Sequence, residues 1–246
     1  MLLMKARRLL ITVSFFAASL LPPAEAIIIR PDRNEDSYTA NAKGYPAVGL
    51  ILPNRGFATL LADQWAITSA DAAQSIPEGQ GEIDFHGKKY QIQKSVIHPN
   101  WKDTEANRIA LLKLTKPVKG IEPLSIYSGA SEVGLVAVLL GFGPPGVKDI
   151  TKWAATNKIE EASPDWIFFR FDQPSDATEL EGINAPYDLG GPAIIEVRGT
   201  RFLAGMNVTT PSGNYPSEYG AYISYARLSS CYDWIVDTIR SSMLTE

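Results

Sequence analysis

Short runs of β-branched, aliphatic and aromatic residues recur along most of the chain, and Gly, Pro, Asn or Asp interrupts them roughly every dozen positions. Runs of this length and composition are typical of β-strands, and their regular spacing favours a β-sandwich or a β-barrel. The runs lie at residues 47–52, 58–61, 65–69, 89–96, 109–114, 135–141, 166–171, 193–197 and 202–208. The sequence therefore predicts an all-β protein.

The C-terminal part of the chain follows a different pattern. Its apolar residues recur at steps of three and four, at Leu228, Cys231, Trp234, Ile235, Val236 and Ile239. This spacing places them on one face of a helix, and Ser229 or Ser230 could cap its start. We expect one C-terminal helix, from residue 228 or 229 to residue 243.

The N-terminal segment has the pattern of a secretory signal peptide. Residues 1–26 begin with basic residues, continue as an apolar run at 9–21 and end in an A-x-A cleavage pattern that closes on Ala26. The alternative is a membrane anchor, but a spanning helix needs about 20 apolar residues, and the run is shorter. We expect a secreted or periplasmic protein that begins at Ile27 and does not insert into a membrane after cleavage.

Charge and cysteine content narrow the possible partners and cofactors. The formal net charge is −4, which argues against nucleic acid or an anionic membrane surface as the main partner. Cys231 is the single cysteine, so the chain has no internal disulfide, and its stability relies on its apolar core. We expect Cys231 to be a buried or half-buried thiol. The sequence contains only two histidines, His86 and His98, in addition to this cysteine, which excludes a Cys/His metal cluster. We expect no metal and no cofactor.

Four segments, in order, resemble conserved blocks of the trypsin/chymotrypsin-like serine proteases, the peptidase S1 family. They are ATLLADQWAITSADAA at 58–73, VIHPNW and NRIALLKL within 96–114, YDLGGP at 187–192, and RLSSCYDWI at 227–235. In that family the blocks carry the catalytic histidine, the catalytic aspartate, the nucleophilic serine and the start of the C-terminal helix. The resemblance covers nearly all of the chain after residue 26, and the segment that follows Ala26 is similar to the start of bacterial secreted members.

The resemblance implies a specific architecture. Members of the family consist of two six-stranded antiparallel β-barrels packed face to face, with the active cleft between them. By this comparison the first barrel spans about 45–118, the second about 130–228, and the C-terminal helix about 229–243.

All three positions that match the catalytic triad are substituted. Asp71 stands in the histidine position, Arg108 in the aspartate position and Leu189 in the serine position. The chemistry needs a hydroxyl nucleophile, an imidazole that takes its proton and a carboxylate that orients the imidazole. A leucine has no lone pair, and an arginine cannot accept a proton. The resemblance therefore implies an inactive homologue.

The positions that match the oxyanion hole and the specificity pocket also depart from the family. Tyr187 replaces the glycine that turns its N–H towards the developing charge, a geometry that a residue with a side chain tolerates less easily. Ile183 occupies the pocket floor, so a surviving pocket is either apolar or filled. Tyr187, Leu189, Ile183 and Gly190 are the candidate binding-cleft residues.

Two structural hypotheses concern the substituted site, and each has an alternative. Asp71 and Arg108 either form a salt bridge or remain two solvated charges that face apart. Asp188, which with Gly191 shapes its loop, either pairs with the freed amine of Ile27, as the family implies, or accepts hydrogen bonds from nearby backbone N–H groups.

Three functions remain open on the sequence alone. The first is a secreted, catalytically inactive and monomeric homologue that binds an unknown protein or peptide. The second is a hydrolase with an unorthodox site, but His98 lies in a turn that is usually remote from the cleft, and His86 lies in a predicted hairpin turn. The third is an envelope-associated structural protein whose partner binds elsewhere, such as at the acidic segment 31–36.

Overall fold

Two closed, six-stranded antiparallel β-barrels and a C-terminal helix form the molecule, which confirms the predicted fold class. This computed structural model describes residues 27–53, 56–77, 79–142, 152–185, 188–208 and 218–244. The predicted signal peptide lies outside the described residues. No helix in the described ranges is both long enough and apolar enough to cross a bilayer.

The elements are numbered in chain order. The strands are β1 (Ile27–Ile29), β2 (Val48–Leu52), β3 (Phe57–Ala62), β4 (Trp65–Ser69), β5 (Glu82–Phe85), β6 (Lys88–Ile97), β7 (Ile109–Leu114), β8 (Ser125–Ile126), β9 (Val136–Gly141), β10 (Trp153–Ala162), β11 (Trp166–Arg170), β12 (Gly182–Asn184), β13 (Pro192–Val197), β14 (Thr200–Met206) and β15 (Tyr222–Arg227). The α-helices are α1 (Glu35–Ala42), α2 (Ala70–Gln74) and α3 (Tyr232–Leu244).

The first barrel closes in the order β2-β3-β4-β7-β6-β5. Strand β7 shows why a continuous apolar run forms a strand here, since both of its faces are covered. Ala110, Leu112 and Leu114 face the barrel interior, whereas Ile109 and Leu111 belong to the apolar cluster between the barrels. The run predicted at residues 109–114 is therefore a fully buried strand.

The second barrel closes in the order β13-β9-β10-β11-β15-β14, with β13 and β14 paired as a hairpin. Strand β8 adds to the outside of β14 in parallel. Arg198 and Gly199 form the two-residue hairpin loop with φ angles of 52° and 78°, the left-handed pair that a type I′ turn requires.

The segment before the first barrel packs on the second barrel. Strand β1 pairs with β12, and α1 lies against β10, where the Asn41 side chain donates to the Ala154 carbonyl at 3.0 Å. The buried Tyr38 hydroxyl donates to the Glu181 carbonyl at 3.0 Å. Sequence analysis did not predict α1, because its residues are mostly polar and show no apolar periodicity.

One apolar cluster, here called the barrel junction, joins the two barrels and α3. Its residues come from the first barrel (Trp65, Ile67, Ile109, Leu111), the second barrel (Leu140, Ala154, Ile194, Leu203) and the C-terminal segment (Leu228, Cys231, Ile235). Cys231 is a free, buried thiol, as expected, and its Sγ donates to Asn107 Oδ1 at 3.4 Å. Apolar packing thus joins the barrels without a disulfide bond.

The C-terminal helix begins later than predicted. Residues Leu228–Cys231 form a 3₁₀ turn, and the α-helix starts at Tyr232. The Ser230 hydroxyl donates to the Arg227 carbonyl at 2.7 Å, so it is engaged within this turn. The apolar periodicity predicted the helical segment but not the tighter first turn.

A buried ion pair closes one end of the second barrel. The Arg227 guanidinium donates to both carboxylate oxygens of Glu132 and to the Ser163 carbonyl, and the Glu132 side chain is only 1% exposed. Removing one partner of a buried pair leaves a charge that water cannot reach.

We expect Arg227→Met to lower the free energy of unfolding by about 3–5 kcal/mol, because it leaves the Glu132 carboxylate buried without its cation. Urea denaturation of the variant measures this loss. Arg33→Met is the matched control, since its partners Asp32 and Glu179 are 44% and 79% exposed, and we expect a loss of less than about 1 kcal/mol there. Equal losses of unfolding free energy in the two variants would show that burial of the carboxylate does not determine the cost of removing its partner.

Candidate functional site

The loop Asp188–Gly191 connects β12 to β13 and requires glycine at its third position. Gly190 adopts a φ angle of +78°, and its N–H donates to the Asn207 carbonyl at 2.7 Å. A Cβ on this residue would overlap the Phe57 carbonyl oxygen and approach Thr68 Oγ1 to 2.7 Å. The Gly191 N–H donates to the Asp188 carbonyl at 2.9 Å and closes the turn.

This loop of the second barrel is bonded to the first barrel. The Phe57 N–H of β3 donates to the Leu189 carbonyl at 2.9 Å. The preceding residue, Gly56, is so close that a Cβ on it would lie 2.5 Å from that carbonyl oxygen and 3.3 Å from the Ala72 Cβ. Leu189 therefore lies beside the start of α2, which contains Asp71.

Asp71 and Arg108 lie at the ends of adjacent strands. Helix α2 begins directly after β4, with the Ser69 hydroxyl accepting from the Ala72 N–H at 3.2 Å, and Arg108 directly precedes β7. Arg108 Nη2 lies 3.4 Å from Asp71 Oδ1, with side chains 33% and 35% exposed. The predicted salt bridge is confirmed, in preference to two charges that face apart.

The hydroxyl groups next to these residues are already engaged. Thr68 and Ser69 are both buried at the end of β4. Thr68 Oγ1 donates to the Phe57 carbonyl at 2.6 Å, and Ser69 Oγ caps α2. Both residues serve the local fold, and neither presents a hydroxyl to the surface near Leu189.

Asp188 is fully buried, and backbone N–H groups bind its carboxylate. Oδ2 accepts from Ala185 N at 2.7 Å, and Oδ1 accepts from Phe142 N at 3.2 Å. This geometry agrees with the hypothesis of local backbone hydrogen bonds. Ile27 is also buried and pairs with Asn184, the residue before Ala185, so an amine freed at Ile27 would lie near this carboxylate. The pairing of that amine with Asp188 remains a prediction.

The four candidate cleft residues have different environments. Leu189 is half-buried beside the first barrel, and Gly190 is buried under Phe57 and Thr68. Ile183 is fully buried in the second-barrel core, so as placed it contributes to that core and not to the floor of an open pocket. Tyr187 lies outside the described residues.

The two histidines lie in other parts of the first barrel. His98 is buried, its Nδ1 accepts from the Asn100 N–H at 3.2 Å, and its ring packs on Trp234 of α3 with centroids 4.7 Å apart. Burial lowers the pKa of His98. His86 lies in the β5–β6 turn, as predicted. Across the part of the chain that the structure describes, neither imidazole bonds to Asp71 or Arg108.

The acidic segment before α1 is engaged by nearby groups. Asp32 lies 2.7 Å from Arg30 and 3.0 Å from Arg33, and Arg33 also pairs with Glu179 at 3.1 Å. Asn34 caps α1 by accepting from the Asp36 N–H. These contacts attach the N-terminal segment to the second barrel.

No family model matches the sequence. Within the described ranges, no cluster of three or more His, Cys, Asp or Glu residues has an arrangement that could hold a metal ion.

Sequence analysis identified Asp71, Arg108, Leu189 and Asp188 but missed the residues that position them. Phe57 binds the Leu189 carbonyl, Asn207 accepts from Gly190, and Phe142 binds the Asp188 carboxylate. Phe57 and Phe142 contribute through backbone N–H groups and Asn207 through its carbonyl, so residue type gives no signal for these roles.

A double-mutant cycle with Asp71→Asn and Arg108→Gln measures the strength of the ion pair. Because both side chains are about one-third exposed, we expect a coupling free energy of about 0.2–1 kcal/mol at low salt. The coupling should shrink in 1 M salt, where the Debye length is about 3 Å. A coupling of zero at low salt would show that the two charges are independent in solution.

Gly190→Ala tests whether the loop depends on a residue without a Cβ. We expect a loss of unfolding free energy that exceeds the loss in Gly199→Ala by at least about 2 kcal/mol. Gly199 is a matched control, because its φ angle is also +78° but nothing lies within 4 Å of an added Cβ. Thermal or urea unfolding of both variants provides the measurement, and similar losses would show that backbone strain alone explains the glycine.

Proposed function

We propose that this chain is a catalytically inactive homologue of the trypsin-like serine proteases and binds an extended segment of a protein or peptide at the junction of its barrels. We further propose that it acts outside the cytoplasm after removal of residues 1–26. The observation that carries the proposal is the convergence of Asp71, Arg108 and Leu189 at the place where the two barrels meet.

The convergence supports common ancestry with the family. Asp71 and Arg108 are in contact, and Leu189 lies within reach of α2 through Gly56 and Ala72. Asp71 and Leu189 are 118 positions apart in the sequence (189 − 71), and the fold brings them to the same region. The order of the four sequence segments and the double-barrel architecture point in the same direction.

The chemistry of the three side chains supports inactivity. Leu189 offers no nucleophile, and Arg108 is a permanent cation that holds the Asp71 carboxylate. The nearest hydroxyl groups, on Thr68 and Ser69, are bonded within the fold. Asp71 therefore has no nucleophile to activate.

Binding does not need the triad. Extended peptides are held by main-chain hydrogen bonds and by pockets for alternate side chains. Leu189 contributes a half-buried apolar side chain where the barrels meet, in the position that faces the substrate in an active relative. Covering an exposed apolar group at such a junction with an apolar peptide side chain is more favourable than leaving it in contact with water.

We expect the purified protein to show neither turnover of peptide substrates nor labelling by a fluorophosphonate. Leu189→Ser alone should remain inactive, because Asp71 and Arg108 do not supply the imidazole and carboxylate that serine activation requires. Activity assays and mass spectrometry of the labelled protein provide the measurements. Time-dependent labelling that is lost in Asp71→Asn would instead establish a hydrolase.

Selection of peptides from a display library on the purified protein tests the binding role. Selected peptides should bind Leu189→Arg at least about tenfold more weakly than the wild type, because the substitution places a charge at the junction. Val136→Arg is the matched control, since Val136 is an exposed valine, 48% accessible, on β9. Peptides that bind all three proteins equally would place the binding surface elsewhere.

A further inference from the structure

A cavity lies between the barrels, and its lining as described does not include Asp71, Arg108 or Leu189. It has a volume of about 400 Å³ and is bordered by α1, by β2 and the β5–β6 turn of the first barrel, and by Phe142 and Lys152, which follow β9 and precede β10. Ala42, Val48, Leu50 and Phe142 form its apolar walls. Small-molecule sites in proteins have this character: they are about 300–1,000 Å³ in volume, mostly apolar, and located between structural units.

Lys152 brings an ammonium group into this cavity. Its Nζ donates to the Tyr45 carbonyl at 2.8 Å and to the Val48 carbonyl at 3.2 Å. An ammonium has three N–H donors, so these bonds leave one for a ligand. No carboxylate among the described residues lies within ion-pair distance of Nζ. The group is therefore a partly desolvated cation held by neutral carbonyls.

The remaining polar groups of the cavity also favour an anion. Among the lining residues that the structure describes, Lys43 and His86 are basic like Lys152, and Asp84 is the one acid. The Asp84 carboxylate is engaged in the hairpin, where Oδ1 accepts from the Gly87 N–H at 2.6 Å. Three basic side chains thus line the cavity against one acid that is already bonded.

His86 occupies a backbone conformation that histidine rarely adopts. Its φ angle is +54° and that of Gly87 is +79°, the two left-handed residues of a type I′ hairpin turn. Asn, Asp and Gly are the usual residues in the first position of such a turn. A histidine there places an imidazole at the rim of the cavity.

We propose that this cavity binds a small organic acid, a single carboxylate on an apolar body, and that the Lys152 ammonium anchors the carboxylate. The walls at Val48, Leu50 and Phe142 cover the apolar body, and His86 lies at the entrance. This site is independent of the proposed peptide-binding junction.

The protonation state of Lys152 determines how the affinity for the acid depends on pH. Burial lowers the pKa of Lys152 to about 8, so the ammonium form prevails at pH 7 and a bound carboxylate would raise that pKa. Affinity should therefore fall as the pH rises through 8 towards 10. The other titratable groups that line the cavity are Lys43 on α1 and Asp84 and His86 on the hairpin, and burial together with the Lys152 charge lowers the pKa of His86.

Isothermal titration of the purified protein with decanoate and with 2-naphthoate at pH 7 tests the proposal. We expect saturable one-to-one binding of at least one of these acids, and binding at least about tenfold weaker for the matched alcohols 1-decanol and 2-naphthalenemethanol. Lys152→Met, which keeps the apolar stem, should weaken binding of the acid at least about tenfold and remove its fall above pH 8. Lys88 lies at the exposed start of β6, and the control variant Lys88→Met should bind the acid with the affinity of the wild type.

A second measurement uses the wild-type protein alone and does not depend on the folding of a variant. An amine-acylating reagent at pH 8, followed by peptide mass spectrometry, reports the modification rate of each lysine. The bound acid should protect Lys152 and leave Lys88 unchanged. The proposal is overturned if neither acid binds, if the alcohols bind equally well, or if the acid leaves the Lys152 modification rate unaltered.

Discussion

The buried carboxylate of Asp188 is the constraint on which the arrangement between the barrels depends. A charge inside a protein must be hydrogen-bonded, and here backbone N–H groups of Ala185 and Phe142 bind it. Those bonds hold the start of the loop, so that Gly190 continues in a left-handed conformation and the Leu189 carbonyl points at the Phe57 N–H. One buried side chain of the second barrel thereby helps to position the edge of the first.

Apolar packing, and not the visible ion pair, supplies most of the attachment between the barrels. Full burial of a side chain such as Ile67, Ile109 or Leu111 contributes about 1.5–3 kcal/mol, whereas a pair as exposed as Asp71 and Arg108 contributes about 1 kcal/mol or less. The side chains of Asp71 and Arg108 can therefore change with little effect on the fold.

Local patterns in the sequence predicted much of the fold and part of the site. Strands β4 and β7 match the expected runs at 65–69 and 109–114 residue for residue, because both are buried on all sides and so are mostly apolar. Helix α1 and strand β10 were missed, because at least half of the residues in each are polar and tertiary hydrogen bonds from Asn41 and Asn157 hold them. The resemblance implied that positions 71 and 108 lie in contact, and the opposite charges of Asp71 and Arg108 then predicted their pairing. The cavity around Lys152 could not be predicted, because it is assembled from segments that are remote in sequence.

The pairing of β1 with β12 has a consequence for the order in which the chain can fold. Ile27 belongs to the first described strand, yet its partner Asn184 is synthesised only after the whole first barrel. A ribosome or an export channel that releases the chain from its N-terminus exposes β1 long before β12 exists. Because contacts so distant in sequence form slowly, completion of the second barrel and docking of the N-terminal strand should come late. Until then the apolar residues Ile27, Ile28 and Ile29 lack their native cover, so this segment remains exposed for most of synthesis.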